Sequence, residues 1–167
     1  MITRQDPEKL IQCHLSIDYF DYDFAVDWAI DLIRQGKETE NILMLASFSK
    51  PVDSNEIRSY VSAVLDDLKL EEKHGEAAIT SKIYFELAEI LNGISIRKNL
   101  ESLYKLCLAY DHNYGLSPFY FLYYAWLELV EIRVNFYYEG ANLENIEALL
   151  KKEASDWIDK FSNEKQV

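Results

Sequence analysis

Residues 117–138 read SPFYFLYYAWLELVEIRVNFYY and carry the longest and most aromatic helical pattern in the chain. Ser117 followed by Pro118 is typical of a helix N-cap and first helical residue, and Gly140 is typical of a helix end. With about 100° between successive residues, the pattern predicts a helix from Phe119 to Tyr138 with one strongly apolar side. The apolar side contains Phe119, Leu122, Ala125, Trp126, Leu129, Val130 and Phe136. Other helices must cover a side of this length.

Further helical patterns, with apolar residues three and four apart, fill most of the remaining sequence. They cover roughly residues 7–17, 23–36, 42–48, 54–68, 76–92, 96–110 and 143–161. Connections of about three to seven residues favour antiparallel neighbours. The sequence therefore predicts an all-α fold of seven or eight antiparallel helices, either a helical bundle or a short α-α superhelix. We expect a single helical domain over residues 1–162 and a frayed C-terminal tail over residues 163–167.

The inward faces of these helices predict the hydrophobic core. Its expected members are Trp28, Leu32, Leu45, Val61, Leu65, Leu87, Leu91, Leu103, Cys107, Leu122, Trp126, Leu129 and Leu149. Arg133 is an exception to the pattern, because the predicted helix places it on the apolar side. There its guanidinium would have to reach water along its own stem or pair with an acid across the core.

The composition favours helices over strands. Leu and Ile total 36, whereas Val and Thr total 10, and the chain has 5 Gly and 3 Pro. Leu is typical of long helices, Val and Thr are typical of strands, and Gly and Pro mark the turns that end strands. Disorder is excluded by a hydrophobic fraction of 49% and an aromatic fraction of 14%.

The chain is strongly acidic. Lys and Arg number 17 against 29 Asp and Glu, which gives a formal net charge of −12. This charge argues against nucleic acid, whose phosphates require Lys and Arg, and against an anionic membrane surface. It suits solubility alone, or a basic protein partner, because opposite charges speed association.

The cysteines and the N-terminal residues bear on the compartment. Cys13 and Cys107 lie in apolar helical patterns, so we interpret them as small core residues rather than as a disulfide framework. Residues 1–11 lack the apolar run of a signal peptide, and no stretch of about 18 apolar residues predicts a membrane span. We expect a cytoplasmic protein.

No pattern typical of catalysis or cofactor binding occurs in the sequence. His14, His74 and His112 are too far apart to pair on one helix face, and Asp111 precedes His112 in the wrong order for a metal phosphohydrolase. The glycines are isolated, no serine lies in a Gly-x-Ser-x-Gly motif, and no cysteine has a histidine at a family spacing. We therefore expect no catalytic residue, no metal and no organic cofactor.

Two groups of side chains are candidates for binding a protein partner. The first is the acidic run Asp18, Asp21, Asp23, Asp27 and Asp31, which contains no basic residue and lacks the glycine of a calcium loop. The second is the polar side of the predicted helix over 119–138, with Tyr120, Tyr124, Glu128, Glu131 and Tyr138. Tyrosine supplies rigid amphipathic area and is enriched at interface hot spots. Alternatively, both groups are ordinary solvated faces.

Several short stretches resemble a known group of proteins. Residues 25–36 read AVDWAIDLIRQG, residues 43–48 read LMLASF, and LDDL, ILNG and YAW follow at 65–68, 90–93 and 124–126. From about residue 22 to 160 the chain is similar to small all-helical bacterial proteins of unassigned function. Some of these resemble immunity proteins of polymorphic or contact-delivered toxin systems. The resemblance implies a cytosolic protein that binds another protein, and it implies no catalytic residue.

These observations predict a protein-binding module. We expect a cytosolic immunity protein that neutralises a basic toxin or nuclease through an acidic, tyrosine-rich surface. One alternative is a small-ligand-binding protein or an enzyme with a pocket between helices and no recognisable motif. Another is a helical scaffold subunit of a larger assembly. The sequence leaves the oligomeric state open.

Overall fold

The computed structural model describes residues 6–164, with side chains up to residue 161. The predicted all-α fold is confirmed, because every regular element in this range is helical. Its eight α-helices are α1 (Pro7–Ile11), α2 (Tyr22–Arg34), α3 (Glu40–Ala46), α4 (Ser54–Asp67), α5 (Gly75–Leu91), α6 (Ile96–Ala109), α7 (Ser117–Ile132) and α8 (Ile146–Glu164), and a 3₁₀ turn covers Asn113–Gly115. None of the described helices combines the length and the apolar character needed to cross a membrane.

The described chain divides into two compact units, residues 6–82 and residues 83–164, here called the N-terminal unit and the C-terminal unit. The boundary falls inside α5. The single domain over residues 1–162 stays a prediction. Of the predicted frayed tail, residues 163 and 164 continue α8, and residues 165–167 lie outside the described range.

In the N-terminal unit, α2, α3 and α4 pack against one another. α2 is apolar around most of its circumference and buries Trp28 and Leu32. Leu45 of α3 and the α4 residues Val61 and Leu65 belong to the same buried cluster. All five are predicted core members, and their burial follows from the spacing of three and four residues along each helix.

In the C-terminal unit, α7 contacts both α6 and α8. Six predicted core members are buried here, namely Leu87, Leu103, Cys107, Leu122, Trp126 and Leu129. Leu91 and Leu149 are only half-buried, so their prediction as core residues is wrong. Leu150 takes the inward position on α8, because it lies at spacings of four residues with the buried Ile146, Ala154 and Ile158.

Side-chain caps fix the starts of α1, α3 and α4. The side chains of Asp6, Thr39 and Asp53 accept backbone N–H bonds at distances of 3.1, 3.2 and 2.7 Å. The predicted start of α7 is wrong by one residue. Ser117, predicted as the N-cap, is the first helical residue, and Leu116 precedes the helix. α1 ends at Ile11, well before the predicted residue 17, and turns follow it.

The predicted helix from Phe119 to Tyr138 is wrong in its last turns. α7 ends at Ile132, and Arg133 adopts a left-handed backbone conformation with a φ of 64°. Residues 133–145 therefore form a loop that leads to α8. Arg133 is exposed at the helix end instead of lying on the apolar side, so it needs no partner across the core.

Candidate functional site

The acidic run lies in the N-terminal unit, on the turn before α2 and along α2 itself. Asp23, Asp27 and Asp31 of this run are engaged within the protein. Asp23 accepts the backbone N–H of Val52 at 3.0 Å, while Asp27 and Asp31 pair with Lys50 at 2.6 Å and Arg34 at 2.8 Å. Asp18 and Asp21 are exposed.

These contacts bring basic side chains to the acidic run. The sequence between positions 18 and 31 holds no basic residue, but the fold brings Lys50 to Asp27 from the segment between α3 and α4. The hydrogen bond to Asp27 raises the pKa of Lys50, so this lysine stays charged. Asp23 is half-buried and holds the chain at Val52, which makes it a structural residue. The surface is therefore less negative than the sequence indicates.

Five tyrosines of the C-terminal unit form a cluster, here called the tyrosine cluster: Tyr104, Tyr120, Tyr123, Tyr124 and Tyr137. The ring of Tyr104 stacks on that of Tyr123 with centroids 4.1 Å apart, and Tyr124 stacks on Tyr137 at 4.9 Å. Tyr120 packs edge-on against Tyr124 at 5.1 Å. Such offset and edge-to-face pairs stabilise one another beyond their buried area.

Two phenol groups of this cluster, those of Tyr104 and Tyr120, have raised pKa values. The hydroxyl oxygens of Tyr104 and Tyr124 lie 3.0 Å apart and form a hydrogen bond. This bond is the largest of the effects that raise the pKa of Tyr104 to about 12. Burial is the main cause that raises the pKa of Tyr120. Tyr104 and Tyr120 therefore offer aromatic faces and hydroxyl groups without a negative charge.

The other candidate residues of the predicted 119–138 helix have different roles in the structure. Glu128 accepts the backbone N–H of Phe136 at 2.9 Å and so ties the 133–145 loop to α7. Glu131 is exposed. Tyr138 donates a hydrogen bond to Glu153 of α8 at 2.5 Å, and burial together with Glu153 raises its pKa to about 12. Tyr138 therefore binds α8, and its predicted place on one helix face with Tyr120 and Tyr124 is wrong because the helix ends before it.

A buried polar network in the N-terminal unit was not predicted from the sequence. His14 exposes 2% of its surface, and its Nδ1 lies 2.9 Å from the hydroxyl of Tyr22 on α2. Its Nε2 lies 3.2 Å both from Glu72 and from Ser62 on α4. Ser62 donates to Glu72 at 2.5 Å. We assign a neutral ring that donates from Nε2 to Glu72 and accepts from Tyr22, because both ring nitrogens then have a hydrogen-bond partner.

The geometry of this network differs from that of a catalytic triad. In a triad the nucleophile and the acid occupy opposite nitrogens of the histidine. Here Ser62 and Glu72 both face Nε2, and the proton of the Ser62 hydroxyl points to Glu72. The arrangement therefore joins four segments of the N-terminal unit, namely α2, α4, the turns after α1 and the segment between α4 and α5. It does not activate Ser62 as a nucleophile.

The network predicts a loss of stability in mild acid. Burial lowers the pKa of His14 from its usual 6.5, against the opposing effect of Glu72, while Arg58 and His74 add to the lowering. Below about pH 6.5 the unfolded chain then binds a proton that the native chain does not. The free energy of unfolding therefore decreases as the pH is lowered. Although burial opposes it, the hydrogen bonds from Ser62 and His14 lower the pKa of Glu72 from 4.5, which adds a further loss below that value.

We expect the free energy of unfolding, measured by urea titration, to decrease as the pH is lowered from about 7 to 5. In an NMR titration of the imidazole protons, the His14 signal should have its midpoint below 6.5. A midpoint above that value, or a protein that becomes more stable over the same interval, would contradict the assignment.

A cysteine and a histidine also meet in the C-terminal unit. The Sγ of Cys107 lies 3.3 Å from Nδ1 of His112, although the sequence shows no familiar catalytic spacing. Cys107 is fully buried, and burial raises the pKa of its thiol. Nucleophilic cysteines need a lowered pKa and access to substrate. The pair is therefore a structural contact. The His112 ring also packs edge-on against the ring of Tyr120, with the ring centroids 5.0 Å apart.

Neither of the candidate surfaces contains a metal-binding arrangement. Within the described residues, no three side chains of His, Cys, Asp or Glu come close enough to hold a metal ion. Comparison with known proteins adds no assignment, because no family model and no solved structure matches the chain.

Proposed function

We propose that this chain is a protein-binding module that binds a basic protein, in the way an immunity protein binds its toxin. The observation that carries the proposal is the tyrosine cluster on a chain of net charge −12. At its edges Phe121 and Tyr137 are more than two-fifths exposed. Aromatic faces on a chain that is rich in carboxylates are suited to Lys and Arg side chains, which stack on aromatic rings and pair with carboxylates.

The charge acts mainly on association in this proposal. An acidic surface attracts a basic partner over a distance of about 8 Å in physiological salt, and so raises the rate of encounter. The aromatic side chains act mainly on dissociation, because they lose their contacts when the complex separates. The two groups of residues therefore have separable kinetic signatures. The cytosolic compartment and the role as an immunity protein belong to the same proposal.

The test is affinity capture from the source cell at low salt, followed by identification and purification of the captured protein. A basic partner should bind in a fixed ratio, and its affinity should fall as salt is raised. Asp18→Lys combined with Asp31→Lys should slow association, with a smaller effect at high salt. The pair Glu56→Lys and Asp66→Lys, which changes the net charge equally at other exposed positions of the N-terminal unit, is the matched control.

Tyr124→Ala should leave association nearly unchanged and speed dissociation by about 10- to 100-fold. The melting temperature of this variant must be measured as well, because Tyr124 also contacts Tyr104. The proposal fails if no basic protein is captured in a fixed ratio. It fails equally if the captured basic protein responds to neither the charge reversal nor Tyr124→Ala.

A further inference from the structure

The 133–145 loop exposes apolar side chains next to α7. Phe136 exposes 83% of its surface, and Val134 is half exposed. At the end of α7, Val130 and Ile132 are exposed to a similar degree. Single apolar residues on a surface need no explanation, but a group of four over seven consecutive positions is typical of an interaction site.

The backbone of this loop is fixed on both sides of Phe136. The side chain of Asn135 accepts the N–H groups of Tyr137 and Tyr138 at 3.2 and 2.9 Å and donates to the carbonyl of Ala141 at 2.8 Å. The N–H of Phe136 itself donates to Glu128. The phenyl group is therefore exposed on a backbone whose N–H groups at positions 136–138 are all hydrogen-bonded.

The second half of the loop is bound in the same way. Asn145 accepts the N–H of Asn142 at 2.8 Å and donates to the carbonyl of Gly140 at 2.9 Å. Asn142 in turn accepts the N–H groups of Glu144 and Asn145 at 2.9 and 3.1 Å. A loop ordered before binding loses little conformational entropy when a partner covers it, so its apolar contacts contribute more to affinity.

The charge around the loop decides between possible occupants. Residues 128–147 contain five glutamates and a single basic residue, Arg133. A second copy of this chain would bring two such groups of glutamates together, and the repulsion between like charges makes this unfavourable. A partner with Lys and Arg around an apolar pocket would instead be complementary both to the glutamates and to the exposed apolar side chains.

We propose that Phe136 is the apolar anchor of the partner interface, inserted into a pocket of the basic partner whose cationic rim meets the glutamates around the 133–145 loop. This inference rests on the proposed function and adds the residue and the loop that carry recognition. It also assigns a role to the left-handed conformation of Arg133, which costs backbone strain but ends α7 early enough to present the loop.

The first experiment is site-specific photocrosslinking in the source cell, with Phe136→p-benzoylphenylalanine as the probe. Leu43→p-benzoylphenylalanine on α3 is the control, since Leu43 is also an exposed apolar residue. Position 136 should give a light-dependent adduct with a basic protein, and position 43 should not. An adduct with a second copy of the chain or with an acidic protein, or no adduct at all, overturns the inference.

The second experiment measures binding of the purified basic partner. Phe136→Ala should weaken affinity at least about tenfold, through faster dissociation and equally at low and high salt. Phe136→Trp should keep most of the affinity, and Leu43→Ala should match the unaltered protein. Glu131→Lys combined with Glu139→Lys should instead slow association, with a loss that shrinks in high salt.

The outcomes separate this inference from the proposed function. If a basic partner binds the unaltered protein but Phe136→Ala binds equally well, the anchor is elsewhere and the proposed function stands. If the unaltered protein binds no basic protein, both fail. Because Phe136 is exposed, Phe136→Ala should keep the melting temperature of the unaltered protein, so a loss of binding cannot be ascribed to unfolding.

Discussion

Replacing Leu103 with alanine is expected to lower the free energy of unfolding by about 2–5 kcal/mol. Leu103 lies on α6 and is fully buried in the C-terminal unit. The truncation removes buried apolar surface and leaves a cavity that the neighbouring side chains fill only in part. Urea unfolding followed by circular dichroism measures the effect. Leu129→Ala on α7, also buried, should cost a similar amount.

Leu108→Ala is the matched control for Leu103→Ala. The two leucines share α6, but Leu108 is 48% exposed. Its truncation should change the free energy of unfolding by about 0.5 kcal/mol or less. If Leu108→Ala costs more than Leu103→Ala, or if both buried variants cost less than about 0.5 kcal/mol, the inward face of α6 has been assigned incorrectly.

Tyr22→Phe is expected to lower the free energy of unfolding by about 1–3 kcal/mol. The substitution keeps the ring of this buried residue and removes only its hydroxyl. That hydroxyl is 2.9 Å from Nδ1 of His14 and 3.3 Å from its carbonyl oxygen. Without it, a nitrogen that is buried in the N-terminal unit has lost its hydrogen-bond partner, which costs more than the bond itself contributes.

Tyr19→Phe is the control for this second substitution, because Tyr19 is fully exposed and three residues away in sequence. It should leave the free energy of unfolding unchanged. The measurement is again urea unfolding, at pH 7 where His14 is neutral. Equal stabilities of Tyr22→Phe and the unaltered protein would show that the Tyr22 hydroxyl contributes nothing to folding.

The helices were predictable because their signals are local. Asp6, Thr39 and Asp53 each precede an apolar spacing of three and four, and each caps the helix that follows. The end of α7 was not predictable, because no glycine or proline stands at position 133 and arginine rarely adopts a left-handed conformation. Because the helix ends at this residue, Tyr138 does not lie on the predicted helix face, and residues 133–145 form a loop.

The sites were predictable only where their members share one helix. Tyr120 and Tyr124 are four residues apart on α7, and the structure keeps them together. Tyr104 and Tyr137 reach them from α6 and from the loop, which depends on packing that no sequence spacing expresses. His14 and Glu72 are likewise 58 residues apart, so the buried network had no signal in the sequence.

The exposed phenyl group of Phe136 has a consequence for the protein in concentrated solution. Each molecule exposes an apolar side chain through which two molecules could associate. The electrostatic repulsion between molecules that each carry a net charge of −12 opposes this association. Repulsion of this kind is screened by added electrolyte and vanishes near the isoelectric point of about 4.6. The unbound protein should therefore behave as a charge-stabilised colloid, clear in dilute neutral buffer and turbid in mild acid. A partner that covers Phe136 would remove this dependence on charge.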